Sequence, residues 1–439
     1  MRRLLAISML FCSASWAWAQ DAPAPAYGLD GATADSEMVL PASISGDGFS
    51  TQFAAAGERS NYLTGGLSFL TAYDDNPLAT TGNTVSDVSF GVMPFIHLNE
   101  TRSRLRWQAD YSPGFTFYRK LNERNQDDHN LGLDLEYRLS QRLTMRLRDA
   151  FSKTSNFLGA PGLSQSETFG PVQQSNLTVI TPVLNRISNL GSGELSYQFG
   201  PNSVVGARGL SSELHFPDES AGLADSHSQA AEGFLAHRIS NIHWLGMTYR
   251  FQRILTDTNN MQSYMQAMLV SYTINVTPTM TVSLFAGPQH AETTGLGLVA
   301  NPRWLPAVGG SYTWQSNRMS FGGSVAHRIS DGGGLAGAVQ LTSFDASFRY
   351  RWLRYWELRL ESSYGKSDLL DTFGLPAQNS RSAIGLIAVS REIGEHLTIE
   401  ASYLRANQTG LGTSGSTVAF DRNRPQISIS YRFNRPIGR

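Results

Sequence analysis

From Tyr62 almost to its end, this chain alternates apolar and polar residues at every second position, in segments of about ten residues bounded by turn-formers. A period of two belongs to an extended strand, whose successive side chains point to opposite faces. In one segment Leu105, Trp107, Ala109 and Tyr111 stand against Arg104, Arg106, Gln108 and Asp110. Next, Leu131, Leu133, Leu135, Tyr137 and Leu139 oppose Asp134, Glu136 and Arg138, and then Leu143, Met145 and Leu147 oppose Arg146 and Arg148. Further on, Phe344, Ala346, Phe348, Tyr350 and Trp352 oppose Asp345, Arg349 and Arg351, and Trp356, Leu358 and Leu360 oppose Glu357, Arg359 and Glu361. Such segments number about 18, from a first core at 62–73 to a last at 424–433.

The connections separate a membrane barrel from a soluble sandwich. Short turns such as Ser140–Arg142, Thr277–Thr279 and Leu353–Tyr355 alternate with long ones such as Thr154–Arg186, Ala291–Arg303 and Asn407–Asn423. Transmembrane barrels have short periplasmic turns and longer outer loops. The expected fold is therefore all-β, a single antiparallel transmembrane β-barrel over 62–433, with a tail at 434–439. Trp244, Trp314, Trp352 and Trp356 sit beside short turns, where a periplasmic aromatic girdle belongs. Two charges break the pattern. Asp149 falls between Leu147 and Phe151, and Arg208 joins the apolar face if Val204, Leu210 and Leu214 meet lipid; a bulge would restore the alternation.

Residues 1–19 read as a secretory signal peptide: Met1-Arg2-Arg3, the apolar run Leu4–Phe11, and Ala17-Trp18-Ala19 as the cleavage site. Cys12 is the only cysteine, so the mature chain has none. Residues 20–61 lack periodicity and are expected to be a disordered periplasmic lead-in or a plug in the lumen. After the signal, no apolar run approaches the roughly 20 residues of a membrane helix. A net charge of −1 gives no basic field for nucleic acid. The 9 histidines show no metal spacing, and no nucleophile-elbow motif occurs, so neither a cofactor nor enzymatic activity is expected. Asp331–Gly334 reads as a flexible outer loop, and Asp74–Pro77 as a strand-ending turn, with cation binding as its second reading. Ala236–Asn241 and Ala326–Asp331 look alike, but the expected topology runs them through the membrane in opposite directions, so the likeness is read as coincidence.

Closing Ser140–Arg142 as a turn sets Glu136 opposite Arg146 and Asp134 opposite Arg148; closing Leu353–Tyr355 pairs Trp352 with Trp356 and sets Arg351 opposite Glu357. Such charges would cost about 2–4 kcal/mol each on a lipid face near the midplane. The faces of Arg104, Arg106, Asp134, Glu136, Arg138, Arg146, Arg148, Arg349, Arg351, Glu357, Arg359 and Glu361 are thus expected to line the lumen. That lining suits a passive channel for small hydrophilic solutes or saccharides. The alternative is a non-conducting receptor, adhesion or scaffold barrel that works through its long loops.

Thr71–Pro77 at the end of the first strand and Arg424–Phe433 in the last, with the barrel pattern between, resemble the outer-membrane β-barrel porins often linked to exopolysaccharide systems. Ile427, Ile429, Tyr431 and Phe433 also resemble the C-terminal signal read by the barrel-assembly machinery, except that Asn434–Arg439 follows. The resemblance implies outer-membrane lipid and that machinery as partners, with a hydrophilic solute or polysaccharide as cargo. It implies Ile429, Tyr431 and Phe433 as the assembly signal.

Overall fold

The computed structural model describes residues 61–437, apart from 81, 83, 155–184, 219–222, 258–259, 296–297, 301, 336, 371–378 and 412–418. The expected signal peptide and almost all of the 20–61 segment lie outside the described residues. The strands are β1 Tyr62–Asp74, β2 Asp87–Thr101, β3 Leu105–Tyr118, β4 Gln126–Arg138, β5 Leu143–Thr154, β6 Arg186–Gly200, β7 Ser203–His215, β8 Ser226–Arg238 and β9 His243–Thr256. They continue as β10 Met261–Thr277, β11 Met280–Gly295, β12 Arg303–Gln315, β13 Met319–Ser330, β14 Val339–Leu353, β15 Trp356–Leu369, β16 Asn379–Ile393, β17 Leu397–Leu411 and β18 Phe420–Pro436. The sheet has 19 strands, one being the two-residue Leu298–Val299, which leaves 18 in the wall. Each wall strand pairs antiparallel with its sequence neighbours, and β1 pairs with both β2 and β18, so the barrel is closed.

The side-chain period of two now has two physical sides. Outward positions carry Phe69, Phe90, Leu133, Leu147, Leu284, Ile387 and Ile427, large apolar residues left open to the surroundings. Inward positions carry buried Ser68, Ser89, Thr116, Asp128, Glu232 and Arg359. A sheet that exposes its apolar face and buries its polar one suits hydrocarbon outside and water or polar partners inside. Outward aromatics stand at both ends of the wall: at the short-turn end Trp352 stacks on Trp356 with centroids 6.2 Å apart and Trp107 Nε1 donates to Glu100 at 2.8 Å, and at the long-loop end Tyr73, Phe117 and Trp304 are exposed. Trp244 departs from the expected girdle. It faces inward, 5% exposed, under the Arg238 guanidinium at 5.9 Å.

Closure depends on the seam between first and last strands. Asp74, the end of β1, accepts Arg422 Nε at 2.8 and 3.0 Å, with both residues almost fully buried. Asp75 accepts the Asn423 backbone N–H at 2.7 Å and its amide at 2.6 Å. Asn76 Nδ2 donates to the Asp421 carbonyl at 3.2 Å. Asp74–Asn76 thus clasps β1 to β18. At the other end the last strand continues past Phe433 to Pro436, pairing Asn434 with Thr64 and Arg435 with Leu63. The first half of the expected tail, Asn434–Pro436, is therefore wall. Phe433 lies over Gly65, where an added Cβ would sit 2.6 Å from its ring, so glycine makes the space the aromatic covers.

Breaking a buried ion pair by removing one partner costs about 3–5 kcal/mol. Arg422→Ala is expected to lower the temperature at which the detergent-folded band converts to the unfolded band on a gel, and Asp74→Ala/Arg422→Ala to recover part of the loss. An unchanged conversion temperature in the single variant would show that the clasp does not hold the seam. Deleting Asn434–Arg439 is likewise expected to lower that temperature, because it removes the Asn434 and Arg435 pairs from the seam.

Candidate functional site

The inner wall carries its charge in register. Arg106 lies opposite Glu136, and Glu136 opposite Arg146. Arg146 lies opposite Glu194, Glu194 opposite Arg208, Arg208 opposite Glu232, and Glu232 opposite Arg250. Seven consecutive strands, β3 to β9, thus place one charge each at a single level, alternating in sign. Glu136 accepts Arg146 Nη2 in a short contact, and Arg208 Nε donates to Glu194 at 2.9 Å. Glu232, 2% exposed at its side chain, stands 3.5 Å from both Arg208 Nη1 and Arg250 Nη1. Two residues further along the wall, Arg148 Nε donates to Asp134 at 2.6 Å.

The second cluster lies on β14, β15 and β17. Arg349 and Arg359 face each other directly, and carboxylates separate their charges. Glu357 takes Arg349 at 3.2 Å and Arg351 at 3.7 Å. Arg359 reaches Glu361 at 3.5 Å and, over β16, Glu400 on β17 at 2.9 Å. The reach over a whole strand works because the β16 residue opposite Arg359 is the small Ala388. The turn closes at Leu353 opposite Trp356, with a register irregularity after Tyr350, one residue tighter than expected.

Most of the expected lumen residues occupy inward positions, with Arg138 and Arg351 at the short-turn rim. Arg104 does not. It belongs to the exposed turn before β3, where its carbonyl accepts the Arg138 N–H at 2.8 Å. Asp149 stays outward, between Leu133 and Gly191, with no bulge beside it, and Asn189 Nδ2 donates to it at 3.3 Å. Arg208 is inward together with Val204 and Leu214, while Val205 is outward. The apolar-outside rule inverted this strand because its outward positions include Gly209, Ser211 and Glu213. Glu194, Arg208, Glu232, Arg250 and Glu400 are the charged partners that sequence reading did not connect. One inward Arg or Glu per strand, alternating in sign, was the available signal. It becomes visible only once every hairpin is registered, including the irregularity between Gln198 and Gly200.

The expected flexible outer loop is also inside. Asp331–Gly334, Leu335 and Ala338 are all buried, and the Gly334 carbonyl accepts the Ala224 N–H at 2.9 Å. Leu335, Val339 and Leu341 pack with Leu223 and Leu369. Gly334 at φ 112° and Gly337 at φ 130° hold backbone conformations that other L residues rarely adopt.

Among the described residues, no group of three His, Cys, Asp or Glu could hold a metal ion. No family model matches the chain, and no curated protein matches it. Solved structures similar to it include Pseudomonas aeruginosa OccK2 (OpdF) in complex with glucuronate, at 11% identity and TM-score 0.43, covering 86% of this chain and 98% of that one. Acinetobacter baumannii OccAB4 matches at 10% identity and TM-score 0.42, covering 86% and 99%. Pseudomonas aeruginosa OpdK with vanillate matches at 10% identity and TM-score 0.40, covering 85% and 99%. A likeness this distant assigns the chain neither family nor substrate.

The ladder predicts a ranking. Glu232→Ala leaves two buried guanidiniums without the carboxylate between them and is expected to cost about 3–5 kcal/mol. Glu136→Ala, at the more open end of the ladder, is expected to cost less. Gel conversion temperatures measure both, and equal losses would show that the ladder does not act through burial.

Proposed function

We propose that this chain is a bacterial outer-membrane barrel that conducts small hydrophilic solutes, exported by the 1–19 signal and assembled through Ile429, Tyr431 and Phe433. One observation carries the reading: a closed barrel whose outward face is apolar and whose inward face holds a charge ladder across β3–β9. A barrel of this strand number is wide enough to leave an aqueous path. Ions and polar solutes would exchange hydration for contacts with fixed charges of both signs, which disfavours strong selection by charge alone. Saccharides fit this reading as uncharged, hydroxyl-rich cargo. The buried Asp331–Leu335 stretch would narrow the path from the long-loop end.

Planar-bilayer conductance tests the proposal. Steady open-channel steps are expected, larger after Gly332–Gly337 is shortened. Arg146→Gln/Arg148→Gln is expected to shift selectivity toward cations, because it removes two positive charges from the inner wall and leaves Glu136 and Asp134 without their β5 partners. Complete absence of conductance in both the intact and the shortened protein would retire the channel in favour of a loop-based receptor or scaffold.

A further inference from the structure

The outward face of the wall is uneven. On β5 it carries Leu143, Leu147 and Phe151, and on β9 Leu245, Met247, Tyr249 and Phe251. Between those strands, over the middle of β6, β7 and β8, it carries Gly191, Gly193, Ala207, Gly209, Ala231 and Gly233. These small residues adjoin one another: Gly193 lies opposite Gly209, Gly209 opposite Ala231, and Ala207 opposite Gly233. Among the described residues nothing covers the centre of the strip, because an added Cβ at Gly209 or Gly233 would meet no atom within 4 Å. Glycine here makes no room for a neighbour in its own chain, as Gly65 does for Phe433.

Two polar groups flank the strip at one depth. Asp149 is six residues past Leu143, where β5 leaves its short turn, and Tyr249 is six past His243, where β9 leaves its own. Gly209 is likewise six past Ser203, the start of β7. With a rise of about 3.3 Å per residue and a tilt of about 40°, all three stand about 15 Å above the short turns, near the middle of an apolar band about 25 Å tall. The Asp149 carboxylate accepts the Asn189 amide at 3.3 and 3.4 Å, and among the described residues no cation pairs with it. A carboxylate at that depth is unfavourable against hydrocarbon. The Tyr249 side chain is half exposed, and its hydroxyl donates to Gln266 Oε1 at a long 3.4 Å.

We propose that this face is the contact between two copies of this chain, related by a two-fold axis along the membrane normal that passes close to Gly209. Two convex walls approach closely only where the side chains along their line of tangency are small, as packed helices do at glycine in hydrocarbon. Asp149 and Tyr249 lie two strands to either side of Gly209, on β5 and β9. A two-fold contact sets each flank against the opposite flank of the second copy. The Tyr249 hydroxyl of each copy then donates to the Asp149 carboxylate of the other, and the contact takes both carboxylates out of lipid. A donor on one flank and an acceptor at the same depth on the other make the face self-complementary, which such a contact requires. The proposal goes beyond the channel reading and rests only on the membrane placement argued above.

Cross-linking in native outer membranes tests it. Cys12, the only native cysteine, falls in the expected signal peptide, so Gly209→Cys supplies the one thiol of the exported barrel. With a short bifunctional thiol reagent, Gly209→Cys is expected to give a dimer band. Ile387→Cys, exposed on β16 on the far side of the ring, is expected to stay monomeric. Tyr249→Phe is expected to raise the dimer Kd about tenfold, the scale of one hydrogen bond to a charged group, as read by fluorescence transfer on lipid dilution. Tyr403→Phe, outward on β17, is expected to leave it unchanged. The unheated gel band shows that each variant is folded. A folded Gly209→Cys barrel that does not cross-link would overturn the proposal, and so would equal cross-linking at both sites, the mark of random collision. An unchanged Kd in Tyr249→Phe would overturn the pairing with Asp149 and with it the two-fold arrangement.

Discussion

Closing the backbone hydrogen-bond ladder into a ring is the constraint on which everything else here depends. In hydrocarbon an unpaired N–H or C=O has no water to turn to, so a spanning sheet is stable only without edges. This chain meets the condition by bringing its first and last strands together. The seam carries polar reinforcement at one end, through Asp74 on Arg422 and Asp75 on Asn423, and an aromatic over a glycine at the other, through Phe433 and Gly65. The contacts that close the ring join residues at opposite ends of the chain, so the clasp forms only when all the intervening strands are in register.

Closure also creates the inner wall, where charge is managed by pairing. Each Arg or Glu of the ladder between β3 and β9 meets opposite charge on the neighbouring strand, so these charges compensate one another. Direct cross-strand pairs are individually worth roughly 0.2–1 kcal/mol. Their larger effect is on register. A one-residue slip would send a whole strand's charges to the apolar face, and a two-residue slip would break the alternation of sign. The ladder therefore specifies alignment as well as lining the lumen.

Between β12 and β13 the wall departs from that plan. There the ladder stops at Val308 opposite His327, Ile329 turns inward to pack, and the hairpin beyond carries Leu335 and Val339 into the lumen. The barrel is thus asymmetric: the charged arc on β3–β9 adjoins a stretch with small and apolar inward residues on β10–β13, among them Ala267, Phe285, Ala307 and Ala326. That asymmetry gives one barrel two chemically different inner surfaces.

Much of this was legible in the sequence, because the period of two is a local property. Strand existence, the short–long order of the connections, and the pairs Glu136–Arg146 and Asp134–Arg148 all follow from residues within one hairpin. The errors share a physical origin. Arg208, Trp244 and Asp331–Gly334 were misplaced because polarity assigns a face only where the two sides of the wall differ, and here parts of the inner wall are apolar while parts of the outer wall are small or polar. The Asp74–Arg422 clasp, the reach of Arg359 over Ala388 to Glu400, and the break in the β12–β13 ladder involve strands that are not sequence neighbours or that bend away from their neighbour. The sequence by itself determined a barrel with an apolar outside and a charged interior, since alternation along each strand is enough for that. Tertiary structure alone decided which charges meet, where the ring closes and where it parts, because those depend on the accumulated register of eighteen strands.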